Sequence, residues 1–352
     1  MSENAYAHVK WFEENEVYYP EVRPGYTAWA SLFQFGNGDL GLAFGEIRRG
    51  KNPEFKPAPL EFVEAMSIPY RVMPDLLPTG NPDLVSEYVN MKSTDGGRSW
   101  LETGRCNVHA RHYWHVGFPD GRLVRIVGSQ HYRYEVGKDR LCTVIEESYD
   151  GGNAWKEISR IMEGKWCSFH KFKKLRSGAI IAATHIHPSF GPGAERQTRS
   201  EQLPGEIKPV QSAFLISEDG GHSWDGPHYV LPGIASWEPD FVELPDGSLL
   251  FINSTVQAGR AVRQVVRRSS TGWMNDPLME VRRGAPDDWE NSKQGGFTPE
   301  TVTMTPEGLI VGARRCGSYS CSNDLGENWY VIEGPVDCYY QPIIECLPDG
   351  SF

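Results

Sequence analysis

The sequence predicts an all-β fold, a six-bladed β-propeller of four-stranded antiparallel blades. Two interleaved repeats predict it. The pattern Ser-x-Asp-x-Gly-x-x-Trp occurs four times, at Ser93–Trp100, Ser148–Trp155, Ser217–Trp224 and Ser322–Trp329. Alternating with it is a series of tight polar turns: Gly36-Asn37-Gly38, Pro119-Asp120-Gly121, Arg176-Ser177-Gly178, Pro245-Asp246-Gly247, Pro306-Glu307-Gly308 and Pro348-Asp349-Gly350.

Each repeat has a local physical reading. In the first, the Asp carboxylate accepts hydrogen bonds from its own turn, the Gly takes a positive φ, and the Trp packs between sheets. In the second, Asp-Gly or its equivalent between apolar runs is a hairpin signal. Asp95 and Asp150 are 55 residues apart, Asp150 and Asp219 are 69 apart, and Asp219 and Asp324 are 105 apart. The last interval is close to two modules, with Ser269-Ser270-Thr271-Gly272-Trp273 as a degenerate turn between them. A module of roughly 57 residues gives about six in this chain, and radial blades protect their own edges.

The blades are expected to begin near Tyr26, His112, Trp166, Trp237, Phe297 and Tyr339, forming one domain over residues 1–352. Residues 7–20 read as a strand outside the first blade that completes the last one. That last blade stops just after its first turn, so a few dozen further residues are expected. The proline-rich insertion Lys51–Asp83 and the segment Ser189–Lys208 read as long loops, which often build or cover binding sites.

Composition narrows the function classes. The net charge is −11 with no basic tract, which argues against nucleic acid as a partner. No apolar run reaches membrane-spanning length. The N-terminus Met1-Ser2-Glu3-Asn4 carries no signal segment, so the chain is expected to be cytoplasmic, or secreted with a signal removed. Seven cysteines without a CxxC pair do not form a zinc or disulfide framework. They read as free thiols, with a Cys316–Cys321 pair as the alternative. Oligomeric state is not readable.

Ligands of propellers usually bind where inner strands begin and their neighbours end. Nine residues before each hairpin Gly stand Trp29, His112, Phe169, Glu238, Pro299 and Gln341. Near the end of the next strand stand Glu46 and Arg48, Gln130 and His131, His185 and His187, Asn253 and Ser254, then Arg314 and Arg315. Glu238 is the most suggestive carboxylate, because a charge at the start of an inner strand needs a partner or a ligand. It reads as a base or as half of a structural ion pair. Arg314 or Arg315 could clamp a substrate carboxylate, or form an outward salt bridge. Seven of the ten histidines fall in blades two and three: His109, His112, His115, His131, His170, His185 and His187. They read as substrate contacts, as acid–base groups such as His170, or as structural residues. The metal signal is weak, and no cofactor is expected. Tyr340 opens the last inner strand as a nucleophile, a base or a packing residue, and Trp237 offers a ring for a sugar face.

These motifs resemble the sialidase (neuraminidase) superfamily, whose Asp-box, or BNR, repeats match the four turns over nearly the whole chain. Leu42-Ala43-Phe44-Gly45-Glu46-Ile47-Arg48 is similar to the Leu-Ala-Phe-x-Glu-x-Arg segment of that family. The resemblance implies an active-site role for Arg48, a nucleophile-pairing role for Glu238 in Glu238-Pro239, and carboxylate binding by Arg314 or Arg315. Departures accompany it. Ala28-Trp29-Ala30 stands where the family has Arg-Ile-Pro, Pro53 stands at the acid/base Asp, Asn253-Ser254 stands at the second arginine, and Gln341 stands at the nucleophilic Tyr, next to Tyr340.

Three functions follow as expectations. The first is an exo-acting, sialidase-like glycoside hydrolase for another sugar, acidic sugars included. Glu238, Glu46, Glu300 or a loop Asp would serve as acid and base, with Arg48, Arg314 and Arg315 holding an anionic group and His112, His185 and Trp237 lining the site. The second is a polysaccharide lyase on uronic acids, with a His or Tyr340 as base. The third is a non-catalytic glycan-binding propeller.

Overall fold

A computed structural model describes residues 12–18, 25–49, 84–107, 112–128, 143–163, 165–187, 211–234, 238–253, 261–283, 299–313, 319–332 and 342–352. They form five β-sheets, each running outward from a first strand in sequence order. All pairings are antiparallel except one short parallel addition. Among the described residues, no helix is long and apolar enough to cross a membrane.

The chain divides into two compact units. The first, residues 14–133 with 143–160, carries two blades. Blade one contains β1 (Gly25–Gln34), β2 (Leu40–Arg49), β3 (Leu84–Ser93) and β4 (Leu101–Asn107). Blade two contains β5 (His112–Gly117), β6 (Leu123–Gly128), β7 (Thr143–Ser148) and β8 (Lys156–Ile161). The second unit, containing residues 161–352, carries three more. Blade three is β9 (Trp166–Lys174), β10 (Ile180–His187), β11 (Gln211–Ser217) and β12 (Asp225–Val230). Blade four is β13 (Asp240–Glu243), β14 (Leu249–Ile252), β15 (Val262–Ser269) and β16 (Gly272–Asn275), with β17 (Met279–Glu280) also on β15. In blade five, β18 (Arg282–Arg283) lies parallel to the outermost strand of β19 (Thr301–Met304), β20 (Ile310–Ala313), β21 (Tyr319–Ser322) and β22 (Asn328–Ile332).

The two repeats occupy fixed places in this pattern. The glycine turns join first to second strands, and the Ser-x-Asp turns join third to fourth strands. Gly38, Gly121, Gly178, Gly247, Gly308 and Gly350 all take φ between +82° and +92°. Such values favour glycine because it lacks the Cβ that clashes there. The four Ser-x-Asp turns share one hydrogen-bond network. Ser93, Ser148, Ser217 and Ser322 each donate to the following Asp at 2.8 Å. Each Ser Oγ also accepts the N–H of Gly97, Gly152, Gly221 or Gly326. The indole of Trp100, Trp155, Trp224 or Trp329 donates to the carbonyl of that same glycine.

The turns also join blades. In the first unit, Trp155 of blade two packs with Phe33, Tyr88 and Leu123. Thr103 on β4 donates to Gly151 O at 2.9 Å. A Cβ on Gly152, whose φ is +96°, would stand 2.5 Å from the Asn90 side chain, so only glycine fits there. In the second unit, Trp329 of blade five is buried among Val242, Leu250, Ile252 and Val302. The degenerate turn at Ser269–Gly272 forms the β15–β16 hairpin, and Trp273 meets Phe214 of blade three edge-on at 5.2 Å.

Two expectations need correction. Five sheets are described, not six. A further glycine turn of the same kind stands at Leu347–Ser351, closed by Leu347 N–H to Ser351 O at 2.7 Å and Gly350 N–H to Leu347 O at 2.9 Å. Among the described residues, however, no strand flanks it. Residues 12–18 are not a strand either. Val17 and Tyr18 pack on Phe44, Val89 and Met91 of blade one, because this apolar face offers more burial than a lone edge offers hydrogen bonds. The expected loops at 51–83 and 189–208 lie outside the described residues, as does Cys316. Cys321 is buried.

Replacing Trp329 by Ala should cost about 3–5 kcal/mol, the usual range for a buried Trp, measured by urea unfolding. Burial works against the charge of Asp219, but hydrogen bonds from Ser223 and Ser217 outweigh it and hold its pKa at about 2, below the ordinary 3.8. A depressed folded-state pKa stabilises above pH 3.8, and that contribution is lost as pH falls towards about 2. D219N should therefore flatten the stability profile across that window in acid denaturation.

Candidate functional site

In every blade the described turns lie at one end. The first strand starts, and the second ends, at the other. In the second unit this opposite end collects ionisable side chains. His170 and His185 belong to blade three, Glu238 precedes β13, and Glu300 precedes β19.

The histidine pair arises from a strand irregularity. On β9, Lys171 pairs with Ala183 and Phe169 with Thr184, so His170 is the extra residue of a β-bulge. Bulges re-aim side chains. Here the His170 ring stacks on His185 with centroids 4.7 Å apart and planes at 17°. His170 Nε2 and His185 Nδ1 are 2.9 Å apart, so one nitrogen donates and the other accepts. His170 is half-buried and His185 is 2% exposed.

One to three residues further along each first strand lies a buried ion cluster. Asp240, the first residue of β13, is 2% exposed. Its Oδ1 is 2.8 Å from Lys173 Nζ, and its Oδ2 is 3.3 Å from Lys171 Nζ. Oδ2 also accepts the Val302 N–H of β19 at 2.8 Å. Lys173 Nζ donates to Phe241 O and Val302 O, each at 2.9 Å. Burial opposes the Asp240 charge, but the two lysines and these hydrogen bonds outweigh it and lower its pKa. The cluster thus joins β9, β13 and β19. His170 stands one residue before Lys171, Glu238 two before Asp240, and Glu300 two before Val302. At about 3.3 Å per residue, each lies on the order of 3–7 Å along its strand from a common anchor. Glu238 is half-buried and Glu300 is 6% exposed.

Glu46 sits in a different setting, in the first unit. It is 1% exposed. Its carboxylate pairs with Arg105 at 2.5 Å and accepts the Tyr18 hydroxyl at 3.0 Å. Arg105 also meets Glu87 and Glu102, each at 3.0 Å. Burial raises the Tyr18 pKa, with help from Glu46 against the opposing pull of Arg105. Burial works against the Arg105 charge, but Glu102, Glu46 and Tyr18 outweigh it and raise its pKa. His115 is a core residue of that unit, stacked between Phe33 and Tyr88.

Arg48 lies near the end of β2 and His112 begins β5, but their side chains are outside the described set. Trp237, Arg314, Arg315 and Tyr340 lie outside the described residues. Among the described residues, no three His, Cys, Asp or Glu side chains gather as metal ligands. Sequence reasoning gave no role to Lys171, Lys173 or Asp240. The one readable signal was the spacing of Lys171 and Lys173, i and i+2, which puts them on one face of an inner strand.

The chain is similar in fold to several solved β-propellers. An α-L-arabinanase from Penicillium chrysogenum, complexed with arabinobiose, matches with a TM-score of 0.55 at 15% identity, over 92% of this chain and 86% of the other. An α-L-arabinofuranosidase from Fusarium graminearum, in complex with an iminosugar inhibitor, matches with a TM-score of 0.56 at 13% identity over the same shares. A leech intramolecular trans-sialidase with 2,7-anhydro-Neu5Ac matches with a TM-score of 0.52 at 11% identity, over 97% of this chain and 66% of the other. No family model matches the chain, and no curated protein matches it in sequence. At these identities the likeness establishes a propeller fold.

E46Q keeps the shape of the side chain but removes its charge from beside Arg105. Because Glu87 and Glu102 remain, the expected cost is about 1–3 kcal/mol, below that of breaking an isolated buried pair. Chemical denaturation measures it.

Proposed function

We propose that the protein is a carbohydrate-active enzyme, a glycoside hydrolase whose site lies at the strand-start end of blades three to five. The observation that carries this reading is the Asp240 cluster, which gathers the strands bearing His170, Glu238 and Glu300. Two carboxyl groups suit glycoside hydrolysis. One, kept protonated, donates to the glycosidic oxygen, while the other activates water or attacks the anomeric carbon. Glu238 and Glu300 are assigned to this pair. Glu46, committed to Arg105, is assigned to structure. Arg314 and Arg315 are assigned to an anionic substituent of the sugar, and Trp237 to its ring. The sugar-bound propellers of similar fold support a glycan substrate.

A second reading rests on the hydrogen bond between His170 and His185. A neutral imidazole held by a second one can abstract the proton beside a uronate carboxylate. The product is then an unsaturated sugar, as in a polysaccharide lyase, with Tyr340 as a further base.

Incubation in ¹⁸O-labelled water with arabino-oligosaccharides, sialosides, uronic-acid oligosaccharides and neutral glycans, followed by mass spectrometry, separates the two. Labelled products are the expected result. Unlabelled, unsaturated fragments would establish the lyase, and no cleavage of any substrate would replace both with a glycan-binding role. In the hydrolase, E238Q should lower kcat by about 10²- to 10⁴-fold while folding survives.

A further inference from the structure

We propose that the Asp240–Lys173 pair is a positioning device for this site, setting the approach of the three strands that carry its acid–base groups. The inference rests on the reading above. β13 and β19 are first strands of their sheets, so each has one edge without a strand partner. Backbone groups there still require hydrogen bonds when buried. The ion pair supplies them. Asp240 accepts the N–H of Phe241 on β13 at 2.7 Å and of Val302 on β19 at 2.8 Å. Lys173 reaches from β9 to the carbonyls of those same two residues. An ammonium has three N–H groups, and all three are used: Asp240 Oδ1, Phe241 O and Val302 O.

This arrangement fixes three strands at one point in one register. A hydrophobic contact in the same place would allow sliding, because apolar packing has no direction. Buried ion pairs are poor sources of stability, and well-packed apolar replacements often match them. Position is what this one supplies. The positioned groups are close in sequence: His170 is three residues before Lys173, Glu238 two before Asp240, and Glu300 two before Val302. Asp240 and Lys173 are not assigned contact with substrate. They act through the residues beside them.

The test uses the full chain with K173M, D240N and K173R. Circular dichroism and thermal unfolding first establish folding. For the substrate identified with labelled water, folded K173M and D240N should lose about 10²-fold in kcat, with KM within about twofold of wild type, since a misplacement of 1 Å costs about that much. The ¹⁵N signals of the His170 and His185 rings should move in the same variants. A purely structural pair would lower the melting temperature and leave both readouts unchanged in the folded protein, which would overturn the proposal. If K173M and D240N do not fold, K173R decides. It keeps the charge but cannot direct three N–H groups to the same acceptors, so a reduced kcat is expected and an unchanged one overturns the proposal. If wild type cleaves nothing, the hydrolase reading fails by itself, and the imidazole signals still decide whether the pair sets position.

Discussion

The fold depends most on a carboxylate that is hydrogen-bonded within its own turn. In each Ser-x-Asp-x-Gly-x-x-Trp segment, Asp closes the loop between the third and fourth strands. Ser bridges it to the glycine N–H, and the indole returns to the glycine carbonyl. The network is complete within eight residues, so it can form before any long-range contact does. It also exports a large ring to a neighbouring blade. Trp155 and Trp329 enter blade interfaces, where a rim turn becomes a core contact. The charge that holds each turn sits at the rim, and the ring that it positions supplies the apolar burial.

The two ends of the blades are therefore specialised. One end carries the glycine and Ser-x-Asp turns, whose polar groups are satisfied locally. At the other end, the first strands start without a partner on one edge, and their polar groups must be met by side chains. In the second unit Asp240 and Lys173 do this for β13 and β19. The first unit shows the contrast. In its Glu46 cluster, Glu46, Glu87 and Arg105 lie on β2, β3 and β4, and Arg105 meets both carboxylates across the sheet face.

Legibility in the sequence followed contact range. The turns could be read because their hydrogen bonds span two to four residues. Even the degenerate Ser269–Trp273 turn could be placed from spacing alone. The partners of Glu46 could not be read, since Arg105 is 59 positions away and joins it across two intervening strand pairings. Lys173 and Val302 are separated by 129 positions, and no local pattern marks Asp240 as their link. The contact between His170 and His185 depends on a bulge, which shifts one residue out of the period-two alternation that sequence reading assumes. The N-terminal segment misled because Val17, Tyr18 and their neighbours have strand-like composition, whereas Tyr18 is used as a ring on Phe44 at 4.9 Å.

The proposed site places glycan chemistry at the strand-start end of blades three to five. Backbone amide chemical-shift mapping during titration with the released sugar checks this. Shifts are expected at residues 167–170, 185–187, 238–240 and 299–302, with the turns around Asp95, Asp150, Asp219 and Asp324 silent. Shifts confined to those turns, or to the Glu46–Arg105 cluster, would contradict it.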